Sequence, residues 1–206
     1  MISPVKKIIL LIIKSMPNHV RNRLEIQCED AATMDKIKMM IFDENQDRNR
    51  IFTMGKMLPL PARFSGTKGY TEYGYHWCRA MWGTKWDVYD CTISESGNTI
   101  IIYYHTAWSP NDNWVELLCL YISRVIGFRE KEDTPNITIE LKYYDYPGGF
   151  GGILEWVPNT NPKSKSYPVM EYARLHDTVL YDNLVKIEKP IDTNDENDSP
   201  MLIDAC

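Results

Sequence analysis

The chain is poor in the residues that a disulfide framework or a structural metal site needs. Five of its 206 residues are cysteine: Cys28, Cys78, Cys91, Cys119 and Cys206. An odd number with no close pair argues against a disulfide scaffold and a zinc ribbon, and for reduced, buried thiols in a cytosolic protein. Histidine is equally sparse. His19, His76, His105 and His176 form no His-x-His and no helical metal pair. His76 and Cys78, two residues apart, are a weak hint of metal binding and no more. No metal and no cofactor is expected.

A membrane-spanning run is also missing near the start. Ile8 to Ile13 is an apolar stretch of six residues closed by Lys14. A bilayer takes ~20 residues to cross. The run is short for the roughly 7–15 apolar residues of a secretory signal, and no small-x-small cleavage site follows. Residues 1–15 therefore read as an N-terminal extension or leader, no membrane contact is expected, and the default location is the cytoplasm.

Charge of one sign is lacking over most of the length. The net charge is −5. Residues 188–206 carry Glu188, Asp192, Asp195, Glu196, Asp198 and Asp204 against Lys189, six acids less one base, so residues 1–187 sum to zero. A neutral body shows no overall electrostatic footprint for nucleic acid. The acidic segment 188–206 is too polar to pack and reads as a disordered tail. Residues 16–187 then form one domain, a length that can bury a single good core.

What is present is aromatic and patterned. Phe, Tyr and Trp make up 12% of the chain, with six Trp and thirteen Tyr. Leu24, Ile26 and Cys28 alternate with polar residues, a strand period. A helix follows from Asp30, which can cap it. Residues 51–61 predict a strand that stops at Pro59 and Pro61. Residues 62–75 read as a loop and 72–82 as a helix, with Gly83 at its C-terminus. Residues 91–108 predict a hairpin turning at Ser96-Gly97-Asn98. Trp114, Leu117, Leu118, Tyr121, Ile122 and Val125 trace the clearest amphipathic helix, ended by Gly127. Residues 136–146 alternate as a strand, "PGGFGG" turns, and "ILEWVP" returns as a second strand. Residues 158–168 read as polar loop, and 169–187 as a weak strand or helix. The hairpin, helix and strand complete a split β-α-β pattern. The expected fold is α+β, a ferredoxin-like antiparallel sheet with helices packed on one face.

Several motifs occur in fixed order: "MPNHVRNRLEI", "MLPLP" (57–61), "WGTKWDVYD" (82–90), "TAWSP" (106–110) and "GGFGG" (148–152). Together they resemble the YubB-type family of phage and plasmid proteins, over roughly Met16 to Trp156. The resemblance implies a ferredoxin-like fold, a mobile-element origin and a bacterial host cytoplasm. It brings no catalytic residues with it.

Chemistry-bearing motifs remain to be weighed. "WGTKWD" gathers Trp82, Thr84, Lys85, Trp86 and Asp87, which either wall a binding pocket or anchor the core. "YYHTAW" places His105 near Trp108, and strand alternation puts His105 and Tyr103 on one face. His105 could serve as a base beside an acid, with Lys85 and Asp87 as partners, or stand as a hydrogen-bonded structural residue. "PGGFGG" lacks the Gly-Lys-Ser/Thr ending of a phosphate loop. No nucleophile motif is present, so no catalytic residue is assigned. Three functions follow. The first is a non-enzymatic accessory protein that binds a host or mobile-element protein, possible interference with host defence and self-association included. The second is a single-stranded nucleic-acid binder through Tyr103, Tyr143 and Tyr144 on an open sheet. The third is an enzyme with its site near His105.

Overall fold

A computed structural model describes residues 18–44, 50–66, 69–125, 136–158 and 160–180. The segments 1–15 and 188–206, and the helix stop at Gly127, lie outside these residues.

The elements run β1 (His19–Cys28), α1 (Ala31–Ile41), β2 (Phe42–Glu44), β3 (Arg50–Phe52), α2 (Met54–Met57), a 3-10 turn (Ala62–Phe64), β4 (Ser65–Gly66), β5 (Gly69–Tyr70) and α3 (Glu72–Met81). They continue with β6 (Tyr89–Ser96), β7 (Thr99–Ala107), α4 (Asp112–Val125), β8 (Ile137–Asp145), β9 (Phe150–Trp156), β10 (Lys163–Pro168) and α5 (Val169–His176). The fold is mixed α+β. Six strands form one sheet in the order β10-β9-β8-β1-β7-β6, and every neighbouring pair is antiparallel. Among the described residues no helix is long and apolar enough to cross a membrane.

Alternation along β1 decides which side of the sheet is wet. Val20, Leu24, Ile26 and Cys28 are buried, while His19, Arg21 and Gln27 are exposed. Met34, Ile37 and Ile41 from α1 and Trp114, Val115, Leu118 and Ile122 from α4 cover the apolar side in one continuous cluster. Burial of side chains this large contributes roughly 1.5–3 kcal/mol each. The α4 stripe is turned from the expected one: Val115 and Cys119 are buried, whereas Tyr121 is exposed.

Four expectations change. Residues 51–61 do not form one strand. β3 ends at Phe52, and Thr53 caps the short α2 by accepting from the Gly55 N–H at 3.1 Å. The 62–75 loop contains the 3-10 turn and the β4–β5 hairpin. The 158–168 loop contains β10, an edge strand whose lysines and terminal proline suit an exposed sheet edge. Residues 169–176 are helix, and this helix α5 overturns the arrangement with helices on one face only. Val169 and Ala173 pack with Tyr144 in a cluster separate from the main core.

Glycine makes that docking possible. "PGGFGG" is a turn only at its start, because Gly151 and Gly152 lie within β9. A Cβ on Gly151 would lie 2.6 Å from the Tyr172 ring of α5, and one on Gly152 would collide with the Tyr143 hydroxyl on the opposite face. The two glycines let an aromatic ring approach each face of the strand.

Candidate functional site

The sheet face not covered by α1 and α4 carries the polar alternates of its three central strands. Register places Arg21 across from His105 on one side and Tyr144 on the other. Arg23 lies across from Tyr103 and Lys142, and Glu25 across from Ile101 and Glu140. Side chains directly opposite on an antiparallel pair lie close enough to interact. Glu25 and Glu140 would repel, but Arg23 pairs with both and Lys142 pairs with Glu140 at 2.8 Å.

Arg21 differs from its neighbours. It makes an ion pair with no carboxylate among the described residues. Its guanidinium donates to the Tyr144 hydroxyl at 3.2 Å and lies 5.9 Å from the centre of that ring. Around it the face deepens into a cavity of about 680 Å³, with Tyr103, His105, Lys142 and Tyr144 in its lining. Tyr103 is 48% exposed. α5 walls the cavity with Tyr172 and His176. Tyr172 lies 6.0 Å from Tyr144 ring to ring, and His176 lies 5.4 Å from Tyr172. A second hollow of about 420 Å³ continues past Glu25 and is bordered by Glu140 and Glu155.

At the opposite end of the face, His19 Nδ1 and the Tyr89 hydroxyl form a hydrogen bond. The Tyr89 ring stacks on His105 at 5.7 Å. Burial, then the nearby Arg21 charge, holds the His105 imidazole below its ordinary pKa. Burial, reinforced by Asp90, pushes the Tyr89 phenol up to about 12. Both groups are therefore neutral near pH 7. His105 Nδ1 is buried without a hydrogen-bond partner, and Asp90 stands 3.9 Å away, beyond hydrogen-bond reach.

No family model, curated protein or solved structure matches this chain.

The residues of "WGTKWD" divide by role. Trp82 is buried and its indole N–H donates to the Leu58 carbonyl at 3.0 Å. Thr84 is wholly buried, and its hydroxyl both donates to the Ala107 carbonyl at 2.8 Å and accepts from the Ala107 N–H at 3.1 Å. Asp87 accepts from the Met54 N–H at 2.8 Å, the Thr53 hydroxyl at 2.5 Å and the Gly55 N–H at 3.2 Å, so it caps α2. Lys85 instead reaches the surface. Its ammonium lies 4.0 Å from the Trp108 ring centre and 4.9 Å from that of Trp86. Trp108 has a φ of 74°, a left-handed conformation that costs a residue other than glycine about 1–3 kcal/mol.

The structure thus brings Lys85, Trp86 and Trp108 together. It puts Tyr103, His105 and Tyr144 on the uncovered face. Asp87 is directed to α2 and Lys85 to the indole rings. Tyr143, grouped with the face tyrosines from the sequence, points the other way: it is 5% exposed and belongs to the core. Odd residues of β8 face the core and even ones the open side. Among the described residues, no group of three or more metal-ligating side chains is gathered. His76 is exposed on α3 while Cys78 is buried, so the two point apart.

Arg21, Arg23, Lys142, Tyr172 and His176 line the cavity but carry no site assignment from the sequence. For Arg21 and Arg23 a signal existed. His19, Arg21, Arg23 and Glu25 alternate with Val20, Asn22, Leu24 and Ile26, so the strand period begins five residues before Leu24. Nothing comparable ties α5 to the face.

Proposed function

We propose that this protein is a non-enzymatic accessory factor of a phage or plasmid, and that the uncovered face of its sheet binds single-stranded nucleic acid. We read β1-α1-β6-β7-α4-β8, with strand order β8-β1-β7-β6, as a ferredoxin-like core extended by β9, β10 and α5. Sheets of this kind hold single strands by stacking bases on exposed aromatic side chains while cations meet the phosphates. Tyr103 is the exposed ring for stacking, and Tyr144, packed against α5, borders the same cavity. The observation that carries the reading is Arg21, a cation without a carboxylate partner, set among aromatic rings in a cavity on the open face. Around the cavity Arg21, Arg23 and Lys142 are matched in number by Glu25, Asp90 and Asp177, so the support comes from Arg21 itself and not from a local excess of positive charge.

Fluorescence anisotropy of labelled single-stranded RNA and DNA over a salt series tests this. Affinity should fall as salt rises. Tyr103→Ala should weaken binding about tenfold, and Arg21→Ala should reduce the salt slope by about one phosphate. Absence of binding at low salt, or binding indifferent to both substitutions, overturns the reading.

A host or mobile-element protein as partner is the second reading. Leu120 and Tyr121, each 47% exposed on the outer side of α4, support it. A pull-down from bacterial lysate would favour it if a stoichiometric protein survived high salt and was lost with Leu120→Ser.

A further inference from the structure

A strand lying in the cavity has to leave it along the sheet face. α5 stands over β9 and β10 and walls one side. Past Glu25 the hollow is bordered by Glu140 and Glu155, with Lys163 beside them. One way out is over the end of the face where β1 starts, β7 finishes and His19 meets Tyr89, with the exposed Asp90 beside it. Directly at that end stand Lys85, Trp86 and Trp108. Trp108 follows Ala107, the partner of His19 in the sheet, and its N–H donates to the Asn18 carbonyl at 2.9 Å.

This cluster has properties the fold does not require. Thr84 and Asp87 fix the backbone of their loop, and the Lys85 and Trp86 side chains between them are half-buried. Trp82, Trp114 and Trp156 donate their indole N–H to carbonyls of Leu58, Met54 and Thr160. Those of Trp77, Trp86 and Trp108 have no acceptor among the described residues, and of these Trp77 packs against the main core. Trp108 is 44% exposed and holds a strained φ that glycine would adopt without cost. Its ring meets Tyr75 of α3 edge-on at 6.3 Å on one side, and a large ring left nearly half exposed on strained backbone, against an ammonium, is a feature of binding surfaces rather than of cores.

We infer that Trp86, Lys85 and Trp108 form a second subsite that receives the next part of the same single strand after it leaves the sheet-face cavity. A base stacks on the outer Trp108 ring, and Lys85 meets the adjoining phosphate. This rests on the nucleic-acid reading of the face and adds the direction in which the strand runs.

Two RNA homopolymers of about four and about eight nucleotides, labelled at one end, separate the two ideas. Wild type should bind the longer one about tenfold more tightly. Trp108→Gly should erase most of that gain while keeping or raising the melting temperature, because it relieves the backbone. Lys85→Gln, which leaves the backbone unchanged, should halve the gain or more and lessen its salt dependence. If wild type binds both lengths equally, or if both variants keep the full gain, the second subsite is refuted and the face reading stands. If wild type binds neither length, both fall.

Discussion

Asp145 shows how a single residue at the end of β8, beside the site, responds to pH. It is wholly buried, and neither carboxylate oxygen makes a well-formed hydrogen bond among the described residues. Burial raises its pKa above the ordinary 3.8, and the nearby Gly148 N–H and Asn18 side chain offset this only in part. Between the ordinary and the raised value, the folded chain keeps a proton that the unfolded chain has lost. Stability contributed by the protonated form is therefore lost as pH rises through that window. Asp145→Asn should melt at a higher temperature than wild type at neutral pH, and the difference should disappear below pH 3.8. Thermal melts of both proteins from acid to neutral pH check this, and a difference that does not change with pH contradicts it. Residue roles of this sort were the least legible in the sequence. Asp87 and Lys85 stand two apart in one motif. One caps a helix from 33 positions away and the other reaches the surface, because the loop between them turns.

Elements with a strong period were legible, and those held by contact alone were not. The alternation of β8 and the spacing of α4 announce themselves, since each buries one side against a large core. The four-residue α2 does not, because its N-terminus is satisfied by Thr53 and Asp87 rather than by an amphipathic pattern. α5 is hidden for a similar reason. Its seat is the gap left by Gly151, and a glycine pair after "PGG" reads as turn chemistry. The seat gives α5 a direct test. Gly151→Ala should push Tyr172 off β9 and open that wall of the cavity. Limited proteolysis should then cut near residues 169–176 faster than in wild type, while the melting of the main core changes little. Equal proteolysis of the two proteins would mean that α5 is held by something other than this contact.

At the scale of the whole molecule, composition described the class of fold and concealed the site. A neutral body argued against nucleic acid, yet neutrality is an average. Arg21, Arg23 and Lys142 share one face with Glu25 and Glu140, which pair with Arg23 and Lys142 and leave Arg21 over, while the negative excess lies in 188–206. Such a leftover cation appears only when three strands far apart in sequence, β1, β7 and β8, are set side by side. The exposed apolar side chains are spread over α1, β3, α3, α4 and α5, as on ordinary folded surfaces. The uncovered face is therefore the surface where cations, rings and a cavity coincide. Ultraviolet cross-linking of the protein to single-stranded RNA, with the attached residues found by mass spectrometry, tests that claim most directly. Cross-links at Tyr103 and Tyr144 are predicted. Cross-links confined to α1 and α4, on the opposite side of the sheet, would contradict it.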